Sequence, residues 1–211
     1  MILQFLNNPA ALVALLSALL IGLTVHEYAH ARVAYQLGDL TAYMAGRLTL
    51  NPMAHIDPLG ALVLLMAGFG WAKPVPIDPY RLSRRDVLLV AIAGPVSNVI
   101  LAALALLPVR FGLIPADGLM GAYLVFFGYL NIVLAVFNML PIAPLDGWKV
   151  LLGVVPADTA FQLQRYEPFG PMVLLVLLVA GRVGGMSPLS RIMDPFINGL
   201  LLLLGGTGLV S

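Results

Sequence analysis

The stretch His26-Glu27-Tyr28-Ala29-His30 sets two imidazoles at i and i+4 with a carboxylate between them. On a helix the two His share one face and can grip a single Zn²⁺, while Glu27 is spaced to act as a general base toward water activated by that metal. The chain holds only three His and has two Glu in all, so chance is a poor explanation of the pattern. A catalytic zinc takes three protein ligands and keeps a fourth position for water. With no Cys in the sequence, the third ligand must be a His or a carboxylate. Asp146 is the candidate: it lies in Asn138-Met139-Leu140-Pro141-Ile142-Ala143-Pro144-Leu145-Asp146-Gly147, where two Pro break a helix and Gly147 permits a tight turn. A second arrangement would take the third ligand from Glu167, as gluzincin-type enzymes do. Its Pro168 neighbour and the lack of a helical ligand pattern around it weigh against that choice. His55, just before Ile56-Asp57-Pro58, reads as a turn or interface residue and stays outside the metal set.

These residues must be positioned by membrane elements. The chain has 211 residues, of which 61% are hydrophobic and 10% charged, with a mean hydropathy of +0.98. Charged residues make up about a quarter of an ordinary soluble domain, so this is an all-α polytopic membrane protein. A net charge of +1 gives no reason to expect a nucleic-acid partner. The first 25 residues carry no basic segment ahead of the apolar run, and the His motif follows directly, so the first helix reads as permanent rather than as a cleaved signal.

A bilayer span needs about 20 mostly apolar helical residues. Such runs occupy 9–31, 87–108 and 119–141, and shorter ones occupy 169–182 and 192–208, which makes about five transmembrane helices. The apolar stretch 59–71 is too short to cross and reads as re-entrant. The third ligand demands the same conclusion. His26 and His30 end the first span, so reaching Asp146 at their depth takes an even number of crossings, and 87–108 and 119–141 already supply two. A re-entrant 59–71 also gathers Arg32, Arg47, Lys73, Arg81, Arg84, Arg85, Lys149 and Arg165 on one side, leaving Arg110 in the opposite short loop. By the positive-inside rule the crowded side is cytoplasmic, and the His motif lies toward it. Leu48-Thr49-Leu50 and Val75-Pro76-Ile77 suggest a small membrane-associated β element between helices one and two, with an edge able to pair with an unwound chain. The whole of 1–211 reads as one membrane-embedded domain, with a core over 9–153 and accessory helices over 154–211.

The motif His26-Glu27-x-x-His30 in an early span, followed by N-x-x-P-x-x-P-x-D-G after a later one, resembles the site-2 protease family of intramembrane zinc metalloproteases. The resemblance implies one zinc per chain held by His26, His30 and Asp146, with Glu27 as the catalytic base. Asn138 matches the family's motif Asn, which implies a role in holding substrate backbone or the developing oxyanion; a helix–helix hydrogen bond is an equally open reading. Ala93-Gly94-Pro95-Val96-Ser97-Asn98 is similar to the family's G-P-x-x-N element, with Gly94 allowing close backbone approach, Pro95 a kink, and Asn98 a structural part. The stretches 51–60 and 70–76 resemble the compact branch that lacks a PDZ domain. The implied activity is hydrolysis of a peptide bond in or near a transmembrane segment of a membrane-protein substrate, in the cell membrane, with the active site toward the cytoplasm. The alternative is a membrane metal-binding or transport protein, or a non-proteolytic scaffold. Intact Glu27 and the scarcity of other intramembrane acidic residues argue against it.

Overall fold

The computed structural model describes residues 9–67, 70–78, 80–183 and 188–205. The described chain is mostly helical. Three helices are long and apolar enough to cross a membrane: α1 (Pro9–Gln36), α4 (Arg84–Arg110) and α5 (Leu119–Asn138). Between the first two lie the short α2 (Thr41–Met44) and α3 (Pro58–Ala67); after them come α6 (Asp146–Val154), α7 (Ala157–Gln164), α8 (Gly170–Val183) and α9 (Pro188–Gly205).

The start of α4 is written in its sequence. Ser83 accepts from the Asp86 N–H at 3.2 Å, and Asp86 accepts from the Ser83 N–H at 2.9 Å, a reciprocal capping box ahead of the apolar run. Helices α1, α4 and α5 pack on one another, and α9 closes the far side of the α4–α5 pair. Along α9 the residues Leu189, Met193, Ile197 and Leu201 recur every fourth position and join Ala102, Leu106, Ile132 and Val136 in one cluster. In lipid such contacts act through close packing rather than through removal of apolar surface from water.

The outlying spans differ from expectation. The run expected over 169–182 is α8, which has 14 residues and joins α7 through a 46° bend, so the pair makes at most one broken span. The run expected over 192–208 is α9, which starts earlier, at Pro188, and carries Arg191, Asp194 and Pro195 in its first half; residues 206–208 lie outside the described chain. Helix α9 falls short of the hydropathy of a span, so among the described residues three clear spans and one bent pair stand against the expectation of about five.

The region between α1 and α4 forms no strand among the described residues. Leu48-Thr49-Leu50 and Val75-Pro76-Ile77 are irregular or extended, and the single antiparallel bridge joins Ile56 to Ala72. The physical reason is local. Pro74 and Pro76 offer no N–H to a ladder, and the Arg47 guanidinium takes the Lys73 and Pro74 carbonyls that a neighbouring strand would use. The bridge still informs topology. The Lys73 N–H donates to the His55 carbonyl at 2.8 Å, and a Cβ at Gly60 would overlap the Trp71 carbonyl oxygen. The chain therefore leaves at Ile56 and returns beside it at Ala72. Helix α3 has 10 residues, a length of about 15 Å, half of a hydrocarbon core of about 30 Å. Residues 68 and 69 of the 59–71 stretch lie outside the described chain.

Candidate metal centre

His26 and His30 occupy successive turns on the inward face of α1, their rings 4.7 Å apart and nearly perpendicular. Asp146 arrives from the opposite end of the sequence as the first residue of α6, after the break at 139–145. A Cβ at Gly147 would overlap the Met139 and Leu140 carbonyl oxygens, so only glycine lets α6 start this close to the end of α5. His26 Nε2 lies 3.0 Å from Asp146 Oδ2, His30 Nε2 lies 3.1 Å from the same oxygen, and the two Nε2 atoms are 3.1 Å apart. All three residues are buried.

The far sides of the two rings decide what this cluster can hold. His30 Nδ1 is 2.6 Å from the Val90 carbonyl oxygen, which can only accept, so Nδ1 carries the proton. His26 Nδ1 is 2.6 Å from Asn98 Oδ1, and Asn98 Nδ2 is turned to the Gly22 carbonyl at 3.1 Å, so this Nδ1 is also the donor. Neutral imidazoles protonated at Nδ1 present bare lone pairs at Nε2. Two lone pairs and a carboxylate oxygen thus meet within 3.1 Å, an arrangement that calls for a shared cation. The donor set of two imidazoles and one carboxylate is that of a catalytic zinc.

Gly94 completes the cradle. A Cβ there would overlap His30 Nε2 and stand 2.6 Å from His26 Nε2. Pro95 follows it, removing the N–H that would have bonded the Ala91 carbonyl, in the same stretch of α4 where the Val90 carbonyl serves His30. Gly94 is a close-approach site, as its sequence suggests, and what approaches it is the His26–His30 pair itself.

Glu27 is buried on α1 beside His26, and among the described residues no hydrogen bond or ion pair engages its carboxylate. Asn138 ends α5 half-buried, its amide donating to the Leu134 carbonyl of its own helix at 2.9 Å. Among the described residues it makes no hydrogen bond to the His pair or to Asp146. Glu167 is drawn elsewhere: it accepts from Trp148 Nε1 at 3.2 Å, outside the metal group. His55 is likewise apart, with Nε2 on the Thr49 carbonyl at 2.8 Å. Sequence reading gave Asn98 only a packing role and overlooked Asn131, whose Oδ1 accepts from Asn98 Nδ2 at 2.9 Å. An Asn in the middle of an apolar helix was the available signal for both.

The chain resembles known proteins over most of its length. The profile of Peptidase family M50 matches residues 113–181, a range that includes Asn138 and Asp146. YwhC of Bacillus subtilis is 42% identical over 206 residues, 92% of this chain and 91% of its own. Rip2 of Mycobacterium tuberculosis strain H37Rv is 31% identical over 188 residues, covering 86% and 73% of the two chains. MJ0611 of Methanocaldococcus jannaschii is 33% identical over 149 residues, covering 68% and 73%. Each of the three bears the name "Putative zinc metalloprotease". No solved structure matches the chain. With such identity sustained along nearly the full length of YwhC, and with the His26, His30 and Asp146 donors converging as a zinc site requires, the chain belongs to peptidase family M50, the site-2 protease family.

Proposed function

We propose that this zinc metalloprotease hydrolyses a peptide bond in or near a transmembrane segment of a membrane-protein substrate. The observation that carries the reading is the convergence of Asp146 with His26 and His30, which sit on a helix long and apolar enough to cross a bilayer. His26 lies 14 residues along the span that begins at Leu12, about 21 Å into the helix, so a substrate reaching it must itself be at membrane depth.

His26, His30 and Asp146 are the residues that would hold the zinc, which when bound supplies Lewis-acid polarisation of a carbonyl and lowers the pKa of water. Glu27, with no competing partner, accepts the proton of the attacking water and returns it to the leaving amine. Asn98 and Val90 hold the two imidazoles in one tautomer throughout. Asn138, at the end of α5 before the break that leads to α6, would offer the remaining hydrogen of its amide to substrate backbone.

A helical substrate hides its carbonyls in its own hydrogen bonds, so it must unwind before cleavage. The extended backbone at 70–78, tied to Arg47 and paired only at Ala72, is the surface on which we place the unwound segment. The returning course of 56–72 supports reading that segment as re-entrant, which keeps both ligand-bearing ends at one depth. The basic residues of the 32–85 region and of 149–165 then face the cytoplasm, and with them the site. The contact of Trp148 with Glu167 supports treating 154–211 as an accessory layer of the same domain.

Glu27→Gln is the decisive variant. Reconstituted in vesicles with a single-helix reporter, it is expected to keep one zinc per chain and to lose cleavage by at least about a thousandfold, the upper range for loss of a proton-transfer group combined with charge. Undiminished cleavage by that variant would remove Glu27 from the chemistry.

A further inference from the structure

The proton placement on His26 is also held from α5, a helix that carries none of the three residues of the metal group. On α5, Asn131 Nδ2 lies 2.9 Å from the carbonyl oxygen of Phe127, one turn back on the same helix. That oxygen can only accept, so the amide nitrogen must face it and Asn131 Oδ1 must face outward. Outward lies Asn98 of α4 at 2.9 Å, which must therefore turn its Nδ2 toward Asn131. The second hydrogen on that nitrogen goes to the Gly22 carbonyl of α1 at 3.1 Å, again a pure acceptor. Asn98 Oδ1 is left to face His26, whose nearby nitrogen must then be the one that carries the proton.

The geometry points to Asn131 as a positioning residue for the metal site, acting through Asn98 to keep a lone pair on His26 Nε2. Both asparagines are fully buried, at 0% exposure, so no water can substitute for either partner. Each link in the sequence Phe127 carbonyl, Asn131, Asn98, His26 admits one orientation because two backbone carbonyls fix its ends. Without the Asn131 oxygen, the Gly22 carbonyl alone would hold Asn98, and the flipped orientation, with its amide hydrogens toward His26 Nδ1, would compete. That would move the ring proton to Nε2, where the cation belongs. The relay joins α1, α4 and α5 at the level of the site, and among the described residues neither asparagine hydrogen-bonds to His30 or Asp146.

The inference rests on His26 being a zinc ligand, and the test separates the two claims. Full-length protein is titrated with Zn²⁺ alone against a competing chromophoric chelator. Asn131→Leu is expected to bind zinc ten- to a hundredfold more weakly, the cost usual for losing an outer hydrogen-bond partner of a ligand. Asn131→Asp in its neutral form keeps a carbonyl toward Asn98 and an O–H toward Phe127, so it is expected to stay within about threefold of the natural chain. Leu106→Ala loosens the same α4–α5 contact without touching the relay, and should leave zinc affinity nearly unchanged. The relay is overturned if Asn131→Leu binds zinc as tightly as the natural chain, if Asn131→Asp loses as much as Asn131→Leu, or if Leu106→Ala loses as much as either. Failure of the underlying reading shows differently, as full zinc binding by His26→Ala.

Discussion

The α1–α4–α5 bundle and the irregular layer at 39–78 differ in how their buried side-chain nitrogens are partnered. In the bundle, His26, His30, Asn98 and Asn131 are buried and each has its partners supplied by another side chain or a carbonyl. In the layer, Arg47 Nε and His55 Nδ1 are buried with no hydrogen-bond partner among the described residues, although the rest of each side chain is engaged. A fully satisfied network holds one geometry, whereas an incompletely satisfied one is open to rearrangement. The difference teaches where rigidity is concentrated: around His26 and His30 the side-chain nitrogens are fixed, and along the layer where we propose the substrate is held, hydrogen-bonding capacity is left over.

Gly94→Ala would break the rigid side most severely. Its Cβ overlaps a ligand atom in a bundle that has no slack, so zinc content should fall from one per chain to near zero and cleavage with it, while the helical signal of the protein remains. Atomic absorption on the purified variant measures this directly, and full occupancy would mean that the cradle yields.

Next in size is the contrast between two carboxylates. Asp146→Ala should release zinc, and Glu167→Ala should retain it while costing about 1 kcal/mol of stability through the lost Trp148 hydrogen bond. Zinc retained by the first variant and lost by the second would exchange their assignments.

Arg47→Ala tests the pliant side. Removing the guanidinium frees the Lys73 and Pro74 carbonyls, and the expected result is a rise in KM for a membrane substrate of about tenfold with zinc content unchanged, the signature of lost positioning rather than lost chemistry. A fall in zinc content instead would show that the two regions are not separate.

The smallest effect concerns Asp39, which is fully buried at the end of α1 and ties down the segment before α4. Burial pushes its carboxyl up, but hydrogen bonds from the Thr41 hydroxyl and from the Asp78 and Thr41 N–H groups, with the charge of Arg81, bring it below the ordinary value. A lowered carboxyl contributes stability that is complete above its unfolded value of about 3.9 and is lost as pH falls through the lower folded value. Limited proteolysis at 76–82 should therefore be slow at pH 6 and quicken below about pH 4, and Asp39→Asn should flatten that dependence.

Legibility in the sequence followed the range of the interactions. The His pair was readable because i and i+4 share a helix face whatever surrounds them, and Asp146 because two Pro and a Gly announce a break that only a lined cavity tolerates. The return of 59–71 followed from requiring the ligands to meet at one depth, and the Ile56–Ala72 pairing agrees with it. The partners of Asn98 and Asn131 were not readable, since 33 residues separate them and only the packing of α4 on α5 brings their amides together. The expected strands failed for a comparably non-local reason: Arg47 reaches 26 residues along the chain to occupy carbonyls that the local pattern left available.

Asp146 stands 120 residues from His26 and 116 from His30. Two of the three donors therefore emerge early in synthesis and wait for the last until α4 and α5 have been made and inserted. A divalent ion that needs all three is captured only by a chain whose membrane insertion has passed α5. A chain that holds only its first helix therefore brings two of the three donors and no more, however well that helix is formed.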